Sequence, residues 1–427
     1  MSPARGTPKA GGKAKAAGKG GAKAAAKGKA AAKGKGAARG KATRPAGLPE
    51  PLRVPLVVGV PKETKGGEHR VAITPDGVSE LVHQGATVVV EAGAGADSSI
   101  TDDEYRGAGA EIAKDATEVW ERGEIVCKVK EPQADELPLM WDGQILFTYL
   151  HLAAYPEVAE GLLERRVMGI AYETVQLGDT GALPLLAPMS EVAGRMAPQI
   201  GAHYLEHHNG GRGVLFGGAP GVRPARVVVL GAGNVGWNAA WIAAGMEAEV
   251  WLLDRNLDRL RWVDQIHRGR ILTLASNRGA VARAVTNADL VVGAVLVPGG
   301  RAPVLVTEDM VANMRPRAVI VDCAIDQGGC TETSRETTHA DPVYEVHGVV
   351  HYCVGNVPGA VPVTSTKALT NATLPYLAAL ATEGPQRAAA TDPALAAGFN
   401  TIGGRVVNPA VAGALGYPAA PLHELWS

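Results

Sequence analysis

The sequence predicts an α/β protein made of two Rossmann-like domains with parallel sheets that face each other across a cleft. Short runs of Val, Ile and Leu alternate with helical segments along most of the chain, which is typical of parallel α/β construction. One run is followed by a G-x-G-x-x-G motif. A basic, low-complexity N-terminal stretch cannot form a core, so we also expect a disordered extension.

This extension covers residues 1–53. Residues 1–49 hold ten Lys and three Arg, and all 43 Asp and Glu residues of the chain lie beyond them. Such a charge run is suited to contact with nucleic acid or another polyanion through counterion release. The alternatives are a solvated tail with no partner or a start codon assigned too far upstream.

Residues 54–187 are predicted to form the first part of a substrate domain. Apolar runs indicate strands over residues 54–60, 86–91, 125–129, 144–150 and 167–171, and the spacing of Val78, Leu81 and Val82 indicates a helix over Asp76–Gln84. No glycine fingerprint accompanies these strands, so this domain is not expected to hold the dinucleotide.

Residues 188–363 are predicted to form the dinucleotide domain, entered through a linker helix over Met189–His208 with Ser190 as a candidate N-cap. Its strands are expected at residues 227–230, 248–253, 289–297, 318–323 and 349–354. Residues 364–427 begin with a helix over 365–382. The remaining tail is expected to contain shorter helices and turns that pack back on the first domain.

The segment RVVVLGAGNVG holds the fingerprint glycines Gly231, Gly233 and Gly236. The first allows a tight turn, the second lets a pyrophosphate approach the backbone, and the third lets the helix pack on the strand. The phosphates would lie at the helix N-terminus. Asp254 ends the next strand, where a carboxylate binds ribose hydroxyls and repels a 2′-phosphate. The prediction is NAD rather than NADP, although the adjacent Arg255 could weaken this preference.

Four polar residues are candidates for chemistry because open parallel sheets bind ligands beyond the carboxyl ends of their strands. Lys130, His151 and Asp326 follow predicted strands, and Arg70 lies in the loop after the first strand. We expect all four at one cleft. Taken singly, each has a structural alternative: a surface salt bridge for Arg70, a strand end for Lys130, a core histidine for His151, and a turn residue for Asp326.

Other classes of site are disfavoured. No apolar run is long enough to span a membrane. The four cysteines lack C-x-x-C spacing and fit reduced thiols in a cytoplasmic protein. His203, Glu206 and His207 match an H-x-x-E-H pattern, but no third ligand lies near them in the sequence, and we expect no metal.

Ten segments together resemble bacterial alanine dehydrogenases, of the alanine dehydrogenase and transhydrogenase alpha-subunit superfamily. The resemblance runs in order from Val54 to about Pro421 and excludes the extension. The matching segments are PKETKGGEHRVAITP, KVKEP, TYLHLAA, AYETVQ, LPLLAPMSEVAGR, GGRGVLFGGAPGV, GAGNVG, GAVLVPG, VDCAIDQGGC and TSTKALTNATLPY.

The resemblance implies the NAD-dependent, reversible oxidative deamination of L-alanine to pyruvate and ammonium, in L-alanine catabolism, by a homohexamer. It implies that Arg70 and Lys130 bind the substrate, that His151 is the acid/base, and that Asp326 orients water or ammonia. The implied cofactor contacts are Ser190, Gly231, Gly233, Asn234, Val235, Gly236, Asp254, Val295, Leu296 and Asn356. The loop around Asn356 reads GNVPG, where relatives more often have Ala-Asn-Met-Pro.

Two alternative functions are compatible with parts of the sequence. The soluble NAD(H)-binding subunit of a nicotinamide nucleotide transhydrogenase shares the two-domain plan, but it would not need the four polar residues. Alternatively, the basic extension could make the chain a polyanion-binding protein with a vestigial enzyme body. Alanine-dependent NADH formation distinguishes the enzyme from both.

Overall fold

The computed structural model describes residues 54–295 and 302–426. The predicted extension at residues 1–53, and Leu296, lie outside these ranges. In chain order the strands are β1 Val57–Val60, β2 Thr87–Glu91, β3 Glu111–Ala113, β4 Ile125–Cys127, β5 Ile145–Thr148, β6 Met168–Ala171, β7 Arg226–Leu230, β8 Glu249–Asp254, β9 Ile271–Ala275, β10 Leu290–Gly293, β11 Val319–Asp322, β12 Val343–Val346, β13 Val349–Tyr352, β14 Phe399–Ile402 and β15 Arg405–Val406.

The α-helices alternate with the strands along most of the chain. They are α1 Pro75–His83, α2 Asp102–Gly107, α3 Ala116–Arg122, α4 Pro156–Glu164, α5 Ala187–Leu205, α6 Asn234–Gly245, α7 Leu257–His267, α8 Arg278–Thr286, α9 Glu308–Ala312, α10 Pro362–Glu383, α11 Pro385–Thr391, α12 Pro393–Ala397 and α13 Pro409–Leu415. In the described part of the chain, no helix has both the length and the apolar character needed to cross a membrane.

The first sheet has the strand order β15-β14-β6-β5-β4-β1-β2-β3, and we call it and its helices the first lobe. Its central strands pair in parallel. The hairpin β14–β15 comes from the C-terminal part of the chain and pairs antiparallel with β6. The loops after β1 and β4 leave the sheet where its strand order reverses, which is the usual ligand position in open α/β sheets.

The second sheet has the order β12-β13-β11-β10-β7-β8-β9, and we call it and its helices the second lobe. All its pairs are parallel except the edge pair β12–β13. Residues Val227–Leu230 of β7 are almost fully buried, as expected for a parallel strand with both faces covered. The strand order reverses between β7 and β10, so the glycine turn after β7 lies at a second ligand position.

Helix α5 connects the two lobes and differs in its ends from the sequence-based expectation. It begins at Ala187 after Leu186, so Ser190 lies inside its first turns and is not an N-cap. It ends at Leu205, before His207, which lies in a separate 3₁₀ turn, His207–Asn209. His203 and His207 therefore do not share the face of one helix, as a metal site of the H-x-x-E-H type would require.

The predicted fold class is confirmed, and the differences concern individual elements. The short strand β3, the strand β9 and the edge strand β12 were not predicted. The tail was expected to contain only helices and turns, but it adds β14 and β15 to the first sheet. Its turn is Gly403-Gly404, with both residues at positive φ, which is a typical two-residue hairpin connection.

Candidate active site

A cavity of about 1080 Å³ lies between the two lobes. All four residues selected for chemistry line it: Arg70, Lys130, His151 and Asp326. Of the predicted cofactor contacts, Ser190, Val235, Val295 and Asn356 also line it. Its remaining wall is largely apolar and includes Leu186, Met189 and Phe399. The cavity thus joins the loops at the carboxyl ends of both sheets.

Arg70 is buried, and one edge of its guanidinium is already occupied. Nε and Nη2 donate to the Glu68 carboxylate at 2.6 and 2.5 Å, and Nη2 also donates to Oδ1 of Asn356 at 2.7 Å. Burial would lower the pKa of Arg70, but the Glu68 ion pair outweighs it and raises that pKa. Nη1 donates to no oxygen among the described residues, and its contact is Met189 Sδ at 2.9 Å.

The loop carrying Arg70 is fixed by the helices beneath it. The backbone N–H of Val71 donates to Thr366 Oγ1 of α10 at 3.1 Å, and the hydroxyl of Tyr105 in α2 donates to the Ile73 carbonyl at 2.7 Å. Because both partners are on regular elements, the loop has little freedom to move Arg70.

Lys130 follows β4 and lines the same cavity as Arg70. Its backbone is held by Thr148, whose hydroxyl donates to the Lys130 carbonyl at 2.9 Å. Loss of water on burial, together with the nearby Arg70 charge, lowers the pKa of Lys130, although Asp326 and Glu68 oppose the shift. Two cations close together in a cavity attract an anionic ligand.

His151 follows β5 in a left-handed backbone conformation, with φ of 47°. Its N–H donates to Glu173 Oε1 at 2.6 Å, and its ring stacks on Tyr149 with 5.7 Å between centroids. Nδ1 lies 3.8 Å from Glu131 Oε2. A non-glycine residue in this conformation needs surrounding structure to hold it, and such residues cluster at functional sites.

Asp326 lies in the 3₁₀ turn Ile325–Gln327 after β11, with its side chain exposed in the cavity. The turn is shaped by the buried Asp322, whose Oδ1 accepts from the N–H of Ala324 at 3.0 Å and whose Oδ2 accepts from the N–H of Cys330 at 2.9 Å. Beside it, a methyl group at Gly355 would lie 3.3 Å from Asp326 Oδ1 and 2.2 Å from Glu336 Oε1. In this GNVPG loop, Glu336 therefore takes the space that an alanine would fill.

The glycine turn after β7 has room for a pyrophosphate. Gly231 has φ of 106°, and a Cβ on Gly236 would lie 1.8 Å from the Gly231 carbonyl oxygen. A Cβ on Gly233 would meet only Arg259 Nη1, at 3.9 Å, so the space above this residue is open. Asn234 begins α6 directly after it. These residues do not line the cavity themselves, but the next residue, Val235, does.

Asp254 ends β8 and is held rigidly beside the same turn. Its Oδ2 accepts from the N–H of Ala232 and its Oδ1 from the N–H of Asn256, both at 2.6 Å. The carboxylate is only partly buried and keeps lone pairs for ribose hydroxyls. Open space at Gly233 and this carboxylate together fit a dinucleotide.

Several residues important to the site were not selected from the sequence: Glu68, Glu131, Glu173, Tyr149 and Met189. Glu131 is the residue after Lys130, and Glu173 lies two residues beyond the end of β6. The expectation that functional residues follow strand ends, which selected Lys130, could therefore also have selected these two glutamates. Glu68 acts through its contact with Arg70, which the sequence does not reveal. The four cysteines are unpaired, as expected, and Cys323 lines the cavity. Within the described ranges, no group of three or more His, Cys, Asp or Glu is arranged to hold a metal ion.

Two family models match the chain: the alanine dehydrogenase/PNT N-terminal domain over residues 59–193 and the corresponding C-terminal domain over residues 197–409. The chain is 55% identical to the alanine dehydrogenase of Methanococcus maripaludis, covering 86% of this chain and 99% of that protein. It is 54% identical to that of Bacillus subtilis, covering 86% and 97%.

Solved structures give a similar result. A structure of L-alanine dehydrogenase matches with a TM-score of 0.82 and 50% identity, over 84% of this chain and 99% of that one. A transhydrogenase from Sinorhizobium meliloti matches with a TM-score of 0.71 and 26% identity, over 83% and 99%.

Proposed function

The chain belongs to the alanine dehydrogenase/PNT family, and from that premise we propose that it catalyses the NAD-dependent, reversible oxidative deamination of L-alanine to pyruvate and ammonium. The main supporting observation is that one cavity is lined by Arg70, Lys130, His151 and Asp326 together with Val235 of the dinucleotide turn. The identity to alanine dehydrogenases is about twice that to the transhydrogenase, which favours the deaminase.

Arg70 and Lys130 bind the substrate carboxylate in this proposal. Since Glu68 and Asn356 occupy Nε and Nη2, Arg70 offers Nη1 to one oxygen, and the Lys130 ammonium takes the other oxygen or the developing carbonyl. A two-point contact of this kind fixes Cα relative to the cofactor. An arginine side chain often binds both oxygens of a carboxylate through two of its nitrogens. In this proposal Arg70 binds only one of them.

His151 acts as the base and Asp326 orients the attacking water. The chemistry that a nicotinamide dinucleotide would supply here, when bound, is acceptance of the hydride from Cα. His151 holds the proton released from the substrate amine, for which an imidazole is suited near neutral pH. Asp326 holds the water that adds to the resulting iminium, and in the reverse direction it holds ammonia.

Replacing the two proposed catalytic residues tests these roles. We expect His151→Ala and Asp326→Ala each to lower alanine-dependent NADH formation by at least about 100-fold, while NADH binding measured by calorimetry is retained. His203→Ala, on α5 away from the cavity lining, is the control and should keep wild-type turnover. Near-normal turnover in either cavity variant would overturn the assignment.

NAD is proposed as the preferred cofactor because the Asp254 carboxylate would repel a 2′-phosphate. Steady-state assays with alanine, pyruvate and glyoxylate against NAD(H) and NADP(H) test this directly. We expect Asp254→Ser to raise KM for NAD and to narrow the preference over NADP. Equal use of both cofactors by the wild-type chain would contradict the proposal.

The oligomeric state and cellular location of the protein are proposed from the family resemblance. Alanine dehydrogenase resemblance supports a homohexamer in the cytoplasm, acting in L-alanine catabolism. Light scattering coupled to size-exclusion chromatography would give the mass of the assembly, for comparison with a chain mass of 44.1 kDa. A monomeric or dimeric active enzyme would contradict the hexamer.

We also propose a polyanion contact for residues 1–49, supported by their thirteen basic and no acidic side chains. Full-length protein should bind duplex DNA with an affinity that falls steeply with salt, and a chain starting at Arg53 should not. Equal binding by both would exclude the contact. Alanine turnover by the shorter chain would exclude a vestigial enzyme body.

A further inference from the structure

Glu131 lies behind His151 rather than in the cavity wall, and its carboxylate is almost fully buried. Its Oε1 is ion-paired with Lys65 Nζ, and Lys65 in turn contacts the Tyr155 hydroxyl at 3.1 Å. Its Oε2 lies 3.8 Å from His151 Nδ1 and has no hydrogen-bond partner among the described residues. A buried carboxylate oxygen without a donor favours any N–H that can reach it, and the nearby imidazole supplies one.

The charge on Glu131 decides which imidazole nitrogen carries the proton. Burial would raise the pKa of Glu131, but contacts with His151 and Lys65 outweigh it and lower that pKa to about 2. Glu131 is therefore a carboxylate at neutral pH and can only accept hydrogen bonds. A neutral His151 beside it keeps its proton on Nδ1, so Nε2 is left with the free lone pair.

The other groups around His151 hold its backbone and its ring, and none of them accepts a hydrogen bond from Nδ1. Glu173 accepts the backbone N–H, and Tyr149 stacks on one face of the ring. The Tyr149 hydroxyl is committed to the Leu185 carbonyl at 2.6 Å. The other charged residues that line the cavity are Arg70, Lys130 and Asp326. The ring plane and the tautomer are thus set by different residues.

We propose that Glu131, held in place by Lys65, is a positioning residue that orients His151 and selects the tautomer with Nε2 free to act as the base. This inference rests on the role proposed above for His151 in alanine deamination. It assigns Glu131 no contact with substrate or cofactor.

Glu131→Gln tests the proposal because the amide is nearly isosteric but uncharged. We expect kcat for alanine deamination to fall about 10- to 100-fold, a loss typical of removing a partner that orients a functional histidine, while KM for alanine changes little. Glu131→Asp, which keeps the charge, should restore part of kcat, again with little change in KM for alanine.

Glu160→Gln, at an exposed position of α4, is the matched control and should leave kcat and KM unchanged. A wild-type kcat in Glu131→Gln, or a raised KM for alanine with an unchanged kcat, would overturn the proposal. If Glu131→Gln does not fold, the comparison of Glu131→Asp with the wild type decides: an unchanged kcat despite the shorter side chain would overturn it.

The failure of the proposed function is distinguishable from the failure of this inference. If the wild-type chain does not oxidise alanine, or if His151→Ala remains active, the proposed function or the assignment of its base is wrong. If His151→Ala is inactive and Glu131→Gln behaves as wild type, only the positioning role of Glu131 is wrong.

Discussion

At the scale of single residues, the site is organised by charges that are buried in pairs. Arg70 and Glu68 are both removed from solvent, with 2% and 0% of their side chains exposed. A buried charge without a partner is strongly destabilising, so each holds the other in place. The same ion pair occupies Nε and Nη2 of the guanidinium, which leaves Nη1 for the substrate contact that we propose.

Glu68→Gln leaves the Arg70 charge without a buried partner and should lower the free energy of unfolding by about 3–5 kcal/mol at pH 7. Contacts with Arg70 outweigh the effect of burial and hold the pKa of Glu68 at about 2. Its stabilising contribution is therefore complete above the ordinary glutamate value of about 4.5 and is lost as pH falls toward 2.

Urea unfolding of wild type and Glu68→Gln at pH 7 and pH 3 measures this difference. The difference in the free energy of unfolding between the two proteins should be smaller at pH 3 than at pH 7. The reason is that the wild type loses part of the stabilisation by the Glu68 carboxylate, which the variant lacks at both pH values. Glu80→Gln, at an exposed position of α1, is the control and should show no gap. A gap that widens on acidification would contradict the linkage.

Burial and the nearby Arg70 charge lower the pKa of Lys130. As pH rises through this lowered pKa, the ammonium is lost, so KM for pyruvate should rise at a pH below the ordinary lysine range. In Lys130→Arg the charge persists at all accessible pH values. The alkaline rise in KM should then disappear, even if KM itself is higher, and an unchanged rise would assign it to another group.

At the scale of elements, close approach of helices fixes the dinucleotide turn relative to the cavity. A Cβ on Gly194 of α5 would lie 2.3 Å from the Val235 carbonyl oxygen at the start of α6. The linker helix is therefore in direct backbone contact with the helix whose N-terminus faces the open space at Gly233. Neither helix can shift without moving the other.

Gly194→Ala tests this contact. The backbone clash should lower the free energy of unfolding by about 1–3 kcal/mol and weaken NADH binding measured by calorimetry. Gly245→Ala, near the end of α6, has nothing within 4 Å of its added methyl group. This control should be neutral or stabilising by up to about 1 kcal/mol. Similar effects of both substitutions would show that the helix contact is looser than described.

Sequence patterns predicted the central elements better than the edges. The buried strands β7 and β10 are apolar runs that are visible without any structure, and Lys130 and His151 were found because they follow such runs. Strand β12 pairs on one side only and none of its residues is fully buried, so its composition is mixed. The hairpin β14–β15 was missed because its partner, β6, lies far away along the chain. The contact of Glu68 with Arg70 also depends on side-chain geometry that no spacing rule contains.

At the scale of the whole molecule, the first sheet is completed by residues from the end of the chain. Thr401 in β14 joins the two parts: its Oγ1 accepts from the Gly169 N–H and donates to the Val167 carbonyl, both at 3.0 Å. Because the C-terminal part of the chain packs on the first sheet, Phe399 and α13 also line the cavity. The first lobe therefore cannot be completed until nearly the whole chain is available.

Thr401→Val removes both hydrogen bonds while preserving shape. It leaves the Gly169 N–H and the Val167 carbonyl buried without this partner, and we expect a loss of about 1–3 kcal/mol in the free energy of unfolding, measured by urea denaturation. The control is Thr391→Val at the exposed end of α11, which should change it by less than about 0.5 kcal/mol. A neutral Thr401→Val would mean that water replaces the hydroxyl.

Asn356 belongs to the second lobe, yet its amide bridges both members of the Arg70–Glu68 pair in the first, accepting from Arg70 at 2.7 Å and donating to Glu68 at 3.0 Å. Any movement that separates Asn356 from the first lobe must break these two hydrogen bonds. The guanidinium that we propose to bind the substrate carboxylate thus also ties the two lobes together. If that role holds, opening the cleft at this point and weakening the hold on alanine are coupled.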